Sequence, residues 1–264
     1  IVSGHWAHYV NNMFLIPGIT EGIEPESEIK EASAPCSCYS IETEDTMAAK
    51  PMNCPNAMMT YKRRSHSYKE LPIRYSEMDV LHRKEKSGQL NGPFRVQEFR
   101  QDDDHTFVTE DMIRDEIMRI IELADREYST FGITYRAELS TRPDDFMGDI
   151  EVWNQAEAAL KSILDKKYGE GNYEVNEGDG AFYGPKIDLK MKDCLGCEWQ
   201  MGTIQLDFQL PLNFDLKYQA QDGTVKRPVM IHRAILGSFE RFIGILIENY
   251  KASFPFWLSP YQVA

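Results

Sequence analysis

Hydrophobic and polar positions along this chain alternate with two different periods. Over residues 110–131 the apolar residues Ile113, Ile117, Ile120, Ile121, Ala124 and Tyr128 recur every three or four positions, which puts them on one face of a helix. Thr109 stands where an N-cap belongs, Glu110 and Asp111 suit the positive end of the helix dipole, and Gly132 supplies the stop. Two more helices are predicted over 150–168 and 236–250. The second period is two. Ile187, Leu189 and Met191 alternate with Asp188, Lys190 and Lys192, and Ile204, Leu206 and Phe208 alternate with Thr203, Gln205 and Asp207. Each set reads as a strand with one apolar face. Residues 73–83 and 94–105 read as two further strands, joined through the polar, turn-rich segment 84–93 as a long hairpin. Residues 18–45 are acidic, carry Gly18, Gly22, Pro25 and Pro35, and read as loop. Strands paired by hairpins, with helices inserted between them, predict an α+β fold with a mostly antiparallel sheet flanked by helices.

Composition narrows the class. A chain of 264 residues buries a sizeable core as one large domain or two small ones. No apolar run approaches the roughly 20 residues of a membrane span, so no membrane partner is expected. The opening Ile1-Val2-Ser3-Gly4-His5-Trp6 has no signal-peptide character, and the missing initiator Met implies trimming from a longer chain. Five cysteines, an odd count without disulfide-scaffold spacing, point to the cytoplasm or an organelle matrix. The net charge of -13 is uneven: residues 50–100 carry eleven Lys/Arg against five Asp/Glu, and the remainder 18 against 37. That basic island fits either local contact with phosphates or a solvated, salt-bridged surface.

Candidate chemistry gathers near the island. With period two, Arg95, Gln97, Phe99, Gln101, Asp103 and His105 share one strand face. Such a row is either a solvent-facing edge or a site. Phe99 in its middle favours a site, where the ring stacks on a flat ligand and Arg95 meets phosphate. Arg83 ends the preceding strand, before a loop bearing Lys84, Lys86 and Ser87. Gly237-Ser238-Phe239-Glu240-Arg241 opens the last helix; glycine there permits close approach of backbone to a ligand. Arg241 sits at the positive helix end, so an anionic ligand or Glu240 should compensate it. Cys54 alone reads as a buried hydrophobe as readily as a ligand, and single histidines are equally ambiguous. Cys194-Leu195-Gly196-Cys197 resembles half of a zinc ribbon or a redox pair, but no second C-x-x-C exists. Cys36-Ser37-Cys38 is a poor substitute, and a turn between the strands holding Met191 and Trp199 accounts for Cys194 and Cys197.

Arg83 followed by a long loop and Phe99, then Gly237 with Arg241 opening a terminal helix, resembles motifs 2 and 3 of the class II aminoacyl-tRNA synthetases. The segments Pro51-Met52-Asn53-Cys54-Pro55, Phe99-Arg100-Gln101-Asp102-Asp103-Asp104-His105, Gly180-Ala181-Phe182-Tyr183-Gly184-Pro185-Lys186, Gln200-Met201-Gly202-Thr203-Ile204-Gln205-Leu206-Asp207-Phe208 and Val229-Met230-Ile231-His232-Arg233-Ala234-Ile235-Leu236-Gly237-Ser238 are similar to the threonine-specific branch. The likeness runs in order from about Ser3 to Val263.

The resemblance implies a catalytic domain over residues 1–264 that makes threonyl-adenylate from L-threonine and ATP, releases pyrophosphate, and transfers the threonyl group to the 3′ end of tRNA(Thr). It implies that Arg83 holds the α-phosphate and the amino acid carboxylate, and that Arg241 flanks the triphosphate. By the same likeness Glu85 lies near adenine, Arg95 near the γ-phosphate and Phe99 under the base, with Mg2+ accompanying the ATP. Lys186, Gln200, Thr203 and Ser238 match secondary contacts, and His5 a histidine near the tRNA 3′ end. Cys54, His105 and His232 match the ligands of one Zn2+, a set that leaves a fourth position open for substrate. Asp103 would accept from the threonine hydroxyl, with Gln101, Tyr183, Gln205 and Met201 lining the pocket. The tRNA acceptor end would meet Lys62, Arg63, Arg64 and the motif 2 loop.

Three departures qualify the likeness. Asn56-Ala57 stands where most relatives have Gly-His, and Met201 replaces a smaller residue and would narrow the pocket. By the resemblance, motif 1, which builds the family's homodimer interface, is expected to fall before residue 1, and no anticodon-binding or editing domain is expected within residues 1–264. Two other classes stay open: a synthetase-like paralogue that activates or senses an amino acid without charging tRNA, and a zinc-binding structural module built on Cys194 and Cys197.

Overall fold

The computed structural model describes residues 2–16 and 46–263. The loop expected over 18–45, with Cys36 and Cys38, lies outside the described residues. In chain order the helices are α1 (His5–Tyr9), α2 (Cys54–Lys62), α3 (Ile113–Thr130), α4 (Ile150–Tyr168), α5 (Gln209–Asn213) and α6 (Phe239–Asn249). The strands are β1 (Leu15–Ile16), β2 (Met47–Ala48), β3 (Ile73–Glu77), β4 (Val80–His82), β5 (Glu98–Arg100), β6 (Asp103–Val108) and β7 (Arg136–Ser140). They continue with β8 (Glu174–Asn176), β9 (Lys186–Lys192), β10 (Glu198–Asp207), β11 (Tyr218–Gln219), β12 (Val225–Lys226) and β13 (Val229–Ala234). A seven-stranded sheet has the order β3-β6-β13-β10-β9-β7-β8, in which the β7–β8 pair is parallel and the others antiparallel. The family of folds expected from the sequence is the one observed. No helix among the described residues is long and apolar enough to cross a membrane.

Strand alternation divides the sheet into two unlike faces. Ile187, Leu189, Met191, Ile204, Leu206, Val229, Ile231 and Val108 point to one side and merge with the apolar faces of α3, α4 and α6 in the main core. The intervening residues Lys186, Asp188, Thr203, Gln205, Asp207, His232, His105 and Phe107 point to the other side. That side is not a solvated polar face: α2, α5 and the chain around Tyr183 and Tyr218 cover much of it in a second apolar cluster.

The helix boundaries follow from their caps. The stripe of α3 is buried as predicted, but a 3-10 turn over Glu110–Met112 intervenes before it. Thr109 therefore starts that turn, makes no side-chain cap bond, and leaves its buried hydroxyl without a partner. At the other end Gly132 takes φ +67, its N–H reaches Ser129 O and that of Ile133 reaches Tyr128 O, a Schellman stop. Asp149 caps α4 through Glu151 N at 2.8 Å. The last helix begins three residues later than expected, because Ser238 Oγ accepts from Arg241 N at 3.1 Å and so occupies the N-cap.

The predicted long hairpin is broken in both arms. β3 and β6 pair within the large sheet, whereas β4 and β5 form a separate two-stranded ribbon. The break falls at Gln101 and Asp102. Asp102 turns inward and its carboxylate accepts from the backbone N–H groups of Ile235, Leu236 and Gly237 at 2.9–3.1 Å. The single six-residue face read from the sequence is thus two shorter faces on two sheets.

Candidate active site

Registry brings chain-distant side chains into one row across the sheet. Tyr75 pairs with His105, His105 with His232, His232 with Gln205, Gln205 with Lys186, and Lys186 with Ser140. Directly opposite residues lie about 4.5–5.5 Å apart, so imidazoles separated by more than a hundred positions become neighbours. Their ring centroids are 5.1 Å apart.

Above this row opens a cavity of about 210 Å³ bordered by Cys54, Arg83, Gln101, Asp103, His105, Tyr183, Lys186, Gln205 and His232. Cys54 arrives from the first turn of α2, buried by the second apolar cluster. One ligand-type atom each from Cys54, His105 and His232 lies within 4.8 Å of the others. The donors suit a shared cation. His232 Nε2 is engaged with Asp207 Oδ2 at 2.8 Å, which leaves Nδ1 for a metal, the usual carboxylate–histidine support. His105 is 1% exposed and its Nδ1 has no hydrogen-bond partner. Burial holds the His105 imidazole neutral, well below its usual range, and raises the Cys54 thiol, with Asp103 and Asp207 adding to the rise. A cation would have to displace that thiol proton, so metal loading should weaken as pH falls.

A second cavity of about 480 Å³ adjoins the first and is bordered by Arg83, Glu85, Arg95, Phe99, Gln101, Trp199, Gln200, Thr203, Ser238 and Arg241. Arg83, Gln101, Gln200 and Thr203 border both. Arg83 stacks over the Phe99 ring at 5.0 Å and donates Nε to Pro51 O at 3.2 Å. Arg241 donates to Phe94 O at 2.7 Å and Gln200 O at 2.6 Å, and lies 5.5 Å from the Trp199 ring centroid. Glu240 does not compensate it: that carboxylate accepts from Arg100 N instead. Among the described residues neither Arg83 nor Arg241 forms an ion pair. Burial above all, then the neighbouring Arg95 and Arg83 charges, lower the Arg241 pKa, and Glu85 offsets part of that. Arg95 alone is neutralised, by Glu85 at 2.8 Å.

The family model described as tRNA synthetase class II core domain (G, H, P, S and T) matches residues 38–250. The chain belongs to that family. Over 261 residues it is 51% identical to a threonine–tRNA ligase of Clostridium kluyveri and 50% identical to one of Carboxydothermus hydrogenoformans. Each match covers 99% of this chain and 37% of the relative, so the chain spans well under half the length of these curated relatives. A crystal structure of the RNA-binding domain of threonyl-tRNA synthetase from Cryptosporidium parvum Iowa II superposes with TM-score 0.84 at 42% identity. That match covers 98% of this chain and 59% of the other.

Most of the residues expected from the resemblance to the class II family converge on the two cavities, with corrections. Met201, expected in the amino acid pocket, does not border the first cavity. It sits in a β-bulge between Gln200 and Gly202, its side chain 3% exposed in the main core and bordering only the second cavity. His5 borders neither cavity. It packs against Cys54 Sγ at 3.6 Å, Met52 Sδ at 2.9 Å and Ser3 Oγ at 2.8 Å. Burial, with His232 nearby, lowers its pKa to about 4. Lys62, Arg63 and Arg64 line a separate surface groove with Lys217, and Arg64 pairs with Glu70. Much of the basic island is internally paired, Arg74 with Glu116 and Lys50 with Asp79 included. Cys194 and Cys197 are exposed and free on the β9–β10 turn, where Asp193 Oδ1 accepts from Leu195 N and Cys197 N. They belong to no metal-type cluster of three among the described residues.

The class II core also uses residues the sequence did not single out. Asn53 donates to Asp103 at 3.0 Å, Asp207 supports His232, and Trp199 stacks on Phe94 at 4.9 Å beside Arg241. Gly237 borders the second cavity, and its backbone also meets a constraint of its own. It adopts φ +71, and a Cβ there would lie 2.5 Å from Met201 O. Gly237→Ala should therefore destabilise the protein by about 2–3 kcal/mol, from left-handed strain plus the clash, readable as a lower urea midpoint.

Proposed function

We propose that this class II core activates L-threonine with ATP and hands the threonyl group to the 3′ end of a tRNA, within a longer protein of which residues 1–264 are the catalytic domain. The likeness to threonine–tRNA ligases supports the reading. The observation that carries it is the buried Cys54–His105–His232 set opening onto a cavity that shares Arg83 with an arginine-lined neighbour.

In the first cavity a zinc ion held by Cys54, His105 and His232 would supply a Lewis-acid position for the amino group and hydroxyl of threonine. Asp103, fixed by Asn53, accepts from the same hydroxyl, and Gln101, Tyr183 and Gln205 close around it. In the second cavity ATP lies with its base against Phe99 and its phosphates toward Arg95 and Arg241, accompanied by Mg2+. Arg83, bordering both cavities, bridges the threonine carboxylate and the α-phosphate. A carboxylate oxygen attacks the α-phosphorus, the bond to the bridging oxygen of the β-phosphate breaks, and pyrophosphate departs. The protein contributes alignment of the two reactants and positive charge on the phosphoryl oxygens. The acceptor end of the tRNA meets the loop over 84–93.

The test is pyrophosphate exchange into ATP with threonine, serine and valine, followed by acylation of a tRNA(Thr) transcript by the full-length protein. Threonine-dependent exchange with valine refused, and label reaching the tRNA, is the expected result. Exchange driven equally by valine would remove the threonine assignment; exchange without acylation would favour the paralogue.

A further inference from the structure

Asp188 lies in the middle of β9, is fully buried, and borders neither cavity. Four side-chain donors converge on its carboxylate. Oδ2 accepts from Lys186 Nζ at 2.5 Å and Ser140 Oγ at 2.8 Å. Oδ1 accepts from Gln200 Nε2 at 2.6 Å and Thr203 Oγ1 at 3.0 Å. Gln200 Nε2 also reaches Thr203 Oγ1 at 2.6 Å, and Lys186 also pairs with Asp179 at 3.2 Å. Glu138 stands opposite Asp188 on β7 but is occupied by Lys190 and Asn176.

Three of the four donors are cavity residues. Lys186 borders the first cavity, and Gln200 and Thr203 belong to the wall common to both. We propose that Asp188 is a positioning residue that locks this common wall, so that the amino acid and the nucleotide are held in one reactive register. The proposal rests on the activation reaction described above.

The polarity of the wall follows from the hydrogen bonds. Because Thr203 gives its hydroxyl hydrogen to Asp188, it offers the cavities no donor. Because the Gln200 amide nitrogen is held by Asp188 and Thr203, the amide cannot flip, and its oxygen is the free acceptor. Lys186 keeps an N–H beyond its two carboxylates. A carboxylate is needed for this pattern, since four donors converge on two oxygens. An amide of the same shape would set an NH2 against two of those donors. Nothing in the pattern binds ATP or threonine alone; it fixes the surface between them, where displacement by about 1 Å costs on the order of 10²-fold in rate.

Asp188→Asn in the full-length, zinc-loaded protein is the test, read by threonine-dependent pyrophosphate exchange alongside zinc content and thermal melting. We expect kcat to fall ~10²-fold while the KM values for ATP and threonine each stay within about 3-fold, a loss confined to the transition state. Ser140→Ala, which removes one donor remote from both cavities, should lower kcat several-fold with the melting temperature unchanged. It carries the test if Asp188→Asn fails to fold. An unchanged kcat in the folded variant overturns the proposal, as does a kcat loss matched by rising KM for both substrates and a lower melting temperature. No exchange in the unsubstituted protein would instead overturn the activation reaction itself.

Discussion

Replacing Arg241 with Ala should cut threonine-dependent pyrophosphate exchange by ~10²–10³-fold, the size of effect seen when one preorganised donor to a developing charge is removed. The guanidinium is held by two backbone carbonyls and a ring face, and no carboxylate among the described residues neutralises it. Its charge is therefore available to an incoming anion without first breaking an ion pair. Arg95 differs, because Glu85 already engages two of its nitrogens. Arg95→Ala should cost less and act mainly on the KM for ATP. Arg241→Lys should recover only part of the loss, since an ammonium lacks the fork that spans Phe94 O and Gln200 O. Comparable exchange by Arg241→Ala and the unsubstituted protein would separate the second cavity from ATP.

His105→Ala should abolish zinc binding and with it most discrimination against valine. Valine is nearly isosteric with threonine, and an apolar pocket alone separates such pairs by only ~10²-fold, whereas a site built for the hydroxyl reaches ~10⁴–10⁵-fold. The variant is expected to fall toward the lower figure. Native mass spectrometry reads the metal and pyrophosphate exchange reads the selectivity, each on its own scale. Cys194→Ser with Cys197→Ser should keep the ion, because those thiols lie on an exposed turn apart from the Cys54 set. Zinc that persists in His105→Ala, or leaves only with the cysteine pair, would move the metal to the β9–β10 turn.

Asp193 links that turn to the wall of the second cavity without chemistry of its own. Its second oxygen takes the Trp199 indole N–H at 2.8 Å, and Trp199 in turn supports Phe94 and Arg241. The residues nearest a motif are thus partly explained by packing behind the motif.

The helices and strand faces were legible because each is a local pattern. The stripe of α3 and the alternations of β9 and β10 survive in the structure residue by residue. The candidate residues came from ordered segments that resemble a family, and the structure gathers many of them around two adjoining cavities. What the alternation could not show is that the polar face of β9 and β10 is covered. On that face burial reaches only the Lys186 and Asp188 end of β9; Lys190 is half-buried and Lys192 exposed. Asp102 and Asp207 gave no local signal, because their partners, Ile235 to Gly237 and His232, are set by strand neighbours far along the chain. Met201 misled for a related reason: a one-residue bulge turns its side chain from the site into the core.

The sequence by itself determined the periods, the helix stops and the inventory of one thiol, two imidazoles and three guanidiniums around which a site could form. Only the tertiary structure decided which of them meet. A strand dictates the face of its own residues through pleating, but its neighbours and register depend on long-range pairing and burial. Those place His105 beside His232, tie Asp188 to the common wall, and leave Arg241 charged, half-buried and without an ion-pair partner among the described residues.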